Sequence, residues 1–119
     1  MNFSHNGGTK EQPIDFPDLE AFGRNNYVKE LDDLDSMISW LHADNSYQAE
    51  INTKQISVIG HSRGGGIVVL KASHDKRVTK VISWAGVSDF ASRFPNGETL
   101  ELWRKNGVAF ITNARTNQQ

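Results

Sequence analysis

Ser62 sits at the centre of a five-residue stretch, Gly60-His61-Ser62-Arg63-Gly64, where chemistry and backbone geometry are tied together. A serine hydroxyl is a weak nucleophile. It becomes effective when a base takes its proton and nearby N–H groups stabilise the charge developing on the attacked carbonyl. Gly-x-Ser-x-Gly suits that task when it joins a strand to a helix, because the turn lifts the serine above the end of a sheet. Apolar runs at residues 56–59 and 67–70 supply the two flanks. A side chain at Gly60 or Gly64 is expected to collide with the neighbouring strand or helix. In this nucleophile elbow Ser62 attacks an acyl carbonyl and the backbone N–H of Arg63 donates to the oxyanion. The positive end of the following helix faces the same oxygen. The side chains of His61 and Arg63 point away from the hydroxyl on so tight a turn, so neither is expected to be its base. Gly65 and Gly66 are expected to let the helix approach the sheet.

Glycine-rich turns between strand and helix also cradle phosphates, but both phosphate patterns fail. A P-loop frame from Gly60 reaches Gly65, yet Gly66 and Ile67 stand where lysine and a hydroxyl residue are required. For Gly-x-Gly-x-x-Gly, Ser62 breaks the frame from Gly60, and the frame from Gly64 ends on Val69.

The elements that must position Ser62 follow from periodicity. Tyr27, Leu31, Leu34, Ile38 and Leu41 recur at helical spacing, predicting a helix over 27–43 with Asn25 or Asn26 as its cap. Glu30, Asp32, Asp33 and Asp35 are expected to form its solvated face rather than a metal site. A strand over 55–60 enters the turn, a helix follows to about residue 73, and a second strand spans 78–85. Strand, helix and strand in that order make a βαβ unit with parallel pairing. Residues 1–4 read as the end of a strand, and Phe16, Leu19 and Phe22 as one helical turn in a long loop. Residues 44–54 read as linker, 87–97 as loop, 98–105 as a short helix and 108–112 as a short strand. No repeat or second domain is expected.

Composition narrows the classes. The chain has 119 residues, 37% of them hydrophobic, and no cysteine, so disulfides, a thiolate nucleophile and cysteine-based zinc sites are excluded. A mean hydropathy of −0.54 and the lack of a long apolar run argue against a membrane partner. The N-terminus lacks the pattern of a signal peptide, and a cytoplasmic location is the expectation. Net charge is −1, but residues 1–60 carry ten acidic and four basic side chains, and residues 61–119 four acidic and nine basic. The basic residues are scattered rather than striped, so no nucleic-acid partner is expected. They read as solvated surface, with attraction between the two halves.

The run Ile-Ser-Val-Ile-Gly-His-Ser-Arg-Gly-Gly-Gly resembles the elbow of the α/β-hydrolase superfamily. With Asn2-Phe3-Ser4-His5-Asn6-Gly7 and Asp18-Leu19-Glu20-Ala21-Phe22-Gly23, the chain is similar to bacterial members near the dienelactone-hydrolase and serine-peptidase-like branches. The resemblance implies an α/β fold with a partial parallel sheet. Residues 1–4 match the end of the family's fourth strand, 27–43 the next helix, 55–60 the fifth strand and 78–85 the sixth. No segment matches the third strand, whose following loop supplies the second oxyanion donor.

The family's triad order is serine, acid, histidine. The only histidine after Ser62 is His74, twelve residues on, which a helix would carry about 15–18 Å away. Asp89 occupies a place where a minority of members put the acid; its alternative role is to cap the turn that follows. Most members place the acid after a seventh strand, beyond residue 119. The expectation is thus an incomplete single domain over 1–119 of a serine hydrolase. It would cleave a small-molecule ester or amide through an acyl intermediate on Ser62, with no cofactor and no metal implied, and the chain alone would be a poor catalyst. The alternative is a small non-catalytic α/β binding or interaction module that keeps the turn as architecture.

Overall fold

The structure is a computed structural model and describes residues 3–12 and 17–110. The chain forms two compact units, Met1–Val87 and Ser88–Gln119. It is mixed α/β, with four α-helices and a two-stranded parallel sheet among the described residues.

In the first unit, helix α1 covers Leu19–Gly23, and Asp18 caps it by accepting the Ala21 N–H. Helix α2 runs Tyr27–His42, capped by Asn26, whose Oδ1 accepts the Lys29 N–H. These caps satisfy helix-end donors that otherwise lack partners. The linker after α2 contains two single 3-10 turns, Gln48–Glu50 and Thr53–Gln55. Strand β1 (Ile56–His61) leads through Ser62 into α3 (Arg63–His74), and β2 (Val78–Trp84) follows. The two strands pair in parallel with Val58 opposite Val81, Gly60 opposite Ser83 and His61 opposite Trp84. This is the βαβ unit that the sequence predicts.

The core is small. Leu34 and Ile38 of α2, Ile56 of β1, and Ile67 and Val68 of α3 are its buried apolar side chains. Helix α3 packs on both strands and on α2. Alternation along the strands puts Gly60 and Ser83 on the face toward α3, where the Ser83 hydroxyl donates to the Gly65 carbonyl at 3.1 Å. The other face carries Ile59, Ile82 and Trp84, which are 67%, 57% and 69% exposed.

In the second unit a 3-10 turn at Ala91–Arg93 precedes α4 (Gly97–Asn106), which ends on Gly107 at φ 71°. The Phe94 and Trp103 rings stack at 6.0 Å between centroids. Two expectations change and one holds. Residues 3 and 4 lie outside any strand, and 1 and 2 lie outside the described residues. The expected helical turn near Phe22 is α1, with Phe16 outside the described residues. Residues 108–110 form no strand, and 111–112 lie outside the described residues. A short apolar run makes a strand only where a neighbour offers a ladder of hydrogen bonds. No helix among the described residues is long and apolar enough to cross a membrane.

Candidate functional site

Ser62 joins β1 to α3 with φ 52° and ψ −118°, a backbone conformation that L-residues rarely adopt. Such strain costs on the order of 1–3 kcal/mol and persists only where surrounding bonds over-determine it. Here they do. The Ser62 N–H donates to the Trp84 carbonyl at 2.9 Å, while the Ser62 carbonyl accepts from Gly65 (3.0 Å), Gly66 (3.3 Å) and Val87 (3.1 Å). Both strand ends and the first turn of α3 therefore hold one residue.

A serine at a helix start ordinarily turns its hydroxyl inward to cap the helix. Ser62 does not: its side chain makes no capping bond and is exposed. Its Oγ has no hydrogen-bond partner among the described residues. The N–H of Arg63, first in the helix, likewise has no acceptor among them, as expected for a first-turn amide.

The glycines divide into two kinds. A β-carbon on Gly60 would lie 2.1 Å from the Gly64 carbonyl oxygen and 2.8 Å from the Gly65 nitrogen, so position 60 admits no side chain. Gly64 differs from expectation: a β-carbon there meets nothing within 4 Å. It is the backbone of Gly64, rather than its missing side chain, that crowds the strand. Gly65 carries the expected close approach, since a β-carbon on it would lie 2.7 Å from the Gly86 Cα just beyond β2.

The side chains flanking Ser62 are occupied elsewhere. The His61 ring lies against Trp84, 5.0 Å between centroids. Arg63 reaches back to α2, donating from Nε to Glu30 Oε2 at 2.9 Å and placing Nη2 2.8 Å from Oε1. Its guanidinium lies over the Tyr27 ring, 4.3 Å from the centroid. Glu30 is only 2% exposed and also accepts from Asn25 Nδ2 at 2.7 Å.

The reading of the α2 acidic face as solvated is corrected for Glu30, Asp33 and Asp35, while the expected attraction between the acidic and basic halves is realised in the pairs of Glu30 and Asp35 with Arg63, Lys71 and Arg77. Asp33 accepts the Ser4 N–H at 2.6 Å. Asp35 pairs with Lys71 and with Arg77, and Asp75, 9% exposed, pairs with the same two cations. The Arg77 guanidinium, and then Lys71, hold the Asp75 carboxyl far below the usual carboxylate range against the opposing effect of burial. Lys71 lowers Asp35 in the same way. For Lys71 itself desolvation pulls the pKa down, but its bonds to Asp35 and Asp75 outweigh it and the net direction is up. Glu30 was legible in principle: it lies four and eight residues before Leu34 and Ile38, in phase with the buried stripe.

No histidine is hydrogen-bonded to Ser62. His5 sits between Ser4 Oγ (2.7 Å) and Lys29 Nζ (3.3 Å). His74 closes α3, with Nδ1 against the Ser73 hydroxyl (2.8 Å) and the Leu70 carbonyl (3.0 Å). Asp89, in the second unit, takes the capping role: Oδ1 accepts the N–H groups of Ala91 (2.9 Å) and Ser92 (3.2 Å). A shallow groove of about 240 Å³ lies between α2 and the second half of α3, lined by Leu31, Asp35, Leu70 and His74 and by none of the residues around Ser62. Among the described residues no three acidic or histidine side chains converge as a metal site. No protein-family model matches the chain, and no curated protein is significantly similar to it.

Proposed function

We propose that the chain carries the nucleophile of a serine hydrolase of the α/β-hydrolase type, acting on an ester or amide through an acyl intermediate on Ser62. One observation carries the reading. Ser62 is held in a strained conformation by four main-chain hydrogen bonds while its hydroxyl is left exposed and uncommitted. A serine serving only as a helix cap needs neither the strain nor the free hydroxyl.

In this reading Ser62 Oγ attacks the acyl carbon and its proton passes to a base. The Arg63 N–H, at the positive end of α3, donates to the carbonyl oxygen as it becomes an oxyanion. Collapse expels the alcohol or amine, and water then releases the acid. We assign the base to a histidine outside these residues, following the family order of serine, acid, histidine. The exposed apolar face of Ile59, Ile82 and Trp84 suits this reading, because parallel sheets are covered on both faces in their complete folds. The 119-residue chain alone is expected to be inactive.

The test is hydrolysis of p-nitrophenyl acetate by the protein at the length its cell makes it. Ser62→Ala is expected to lower kcat by at least about a thousandfold, as removal of a nucleophile does. Undiminished turnover in Ser62→Ala would remove Ser62 as the nucleophile, and no turnover in the wild type would favour the binding-module alternative.

A further inference from the structure

We infer that Glu30 is a positioning residue for the chemistry at Ser62, acting through the side chain of Arg63; the inference rests on the function proposed above. A carboxylate that is 2% exposed is costly to keep charged unless its oxygens are fully bonded. Glu30 meets that condition with three donors: Nε and Nη2 of Arg63 and Nδ2 of Asn25. A two-point contact between a planar guanidinium and a carboxylate fixes angle as well as distance. The Tyr27 ring, 4.3 Å beneath, holds the guanidinium plane in a third direction. The start of α2 therefore grips the first residue of α3.

The peptide group between Ser62 and Arg63 shows why this matters. It carries the Ser62 carbonyl at one end and the proposed oxyanion donor, the Arg63 N–H, at the other. Bonds from Gly65, Gly66 and Val87 hold the carbonyl end. The grip of Glu30 on the Arg63 side chain holds the Cα at the N–H end. The main-chain bonds keep the strained φ of 52° on Ser62, so release of the Arg63 end leaves the turn standing but lets the peptide plane tilt about its held carbonyl, and the N–H moves off the oxyanion. Charge also has to balance. The Glu30 carboxylate neutralises a guanidinium one residue from the nucleophile, so an anion entering the site meets the backbone donor rather than a mobile cation.

The experiment compares wild type, Glu30→Gln and Arg63→Lys at the length the cell makes, with kcat and KM for p-nitrophenyl acetate measured separately beside a thermal melt. Glu30→Gln loses the charge and one acceptor; Arg63→Lys keeps charge and backbone but loses the fork. Both are expected to lower kcat by about tenfold or more with KM within about twofold, the mark of a donor misplaced in the transition state. An unchanged kcat in either folded variant overturns the inference, as does a loss that only follows the fraction unfolded. If Glu30→Gln fails to fold, Arg63→Lys decides by the same criterion. A wild type with no turnover removes the reading of Ser62 itself, and this inference with it. Turnover in the wild type and equally in the variants removes the inference alone.

Discussion

A β-carbon on Gly60 would lie 2.1 Å from the carbonyl oxygen of Gly64, so the strand entering the Ser62 turn and the helix leaving it touch backbone to backbone. Neither side can retreat, because β1 is paired with β2 and α3 is packed on both. Gly60→Ala is therefore expected to cost about 3 kcal/mol or more in urea unfolding. Gly64→Ala is the control. Its β-carbon has open space and the residue is helical, so the same experiment is expected to show no loss and a gain of up to about 1 kcal/mol.

The strain at Ser62 has its own signature. Glycine adopts φ 52° freely, so Ser62→Gly is expected to raise stability by about 1 kcal/mol after the added freedom of the unfolded chain is discounted. Ser62→Ala keeps the strain and is expected to gain less. Ala85, at φ 47° just after β2, is expected to respond to Ala85→Gly in the same direction. A Ser62→Gly variant that melts below Ser62→Ala would show that the turn stores no strain.

The ion cluster behind α3 sets an acid limb. Arg77 first, then Lys71, hold the Asp75 carboxyl below its ordinary value. An acid lowered by folding contributes stability that is present above its unfolded pKa, about 3.9, and is lost as pH falls toward the folded value. Asp35 acts with the same sign, but it is half exposed and screened. The raised Lys71 acts oppositely, losing its contribution only above about pH 10.4. The stability gap between wild type and Asp75→Asn is expected to be constant from about pH 8 to pH 5 and to narrow toward pH 2. A gap that is the same at both ends would rule out this linkage.

What the sequence made legible was local. The stripe from Tyr27 to Leu41, the apolar runs at 56–59 and 67–70 and the glycines around Ser62 each announce an element within a few residues. The pairings that lock those elements together were harder to read. Glu30 and Arg63 are 33 residues apart, and Asp35 and Arg77 are 42 apart. Charge on a helix looks the same in sequence whether water or an arginine satisfies it; only the phase of Glu30 with Leu34 and Ile38 hinted at burial. The opposite error occurred at residues 108–110, where apolar composition suggested a strand but pairing depends on a partner. At Gly64 the motif was right and its reason was not, because the crowded atom belongs to that residue's backbone.

The central claim, that Ser62 is a nucleophile, is tested most directly by covalent capture. The protein, at the length its cell makes, is treated with a fluorophosphonate, digested, and the modified residue located by mass spectrometry. A single phosphonyl adduct on Ser62, lost in Ser62→Ala and slowed about tenfold in Glu30→Gln, is the expected result. A folded protein that stays unlabelled, or that is labelled at another residue with Ser62 untouched, would contradict the account.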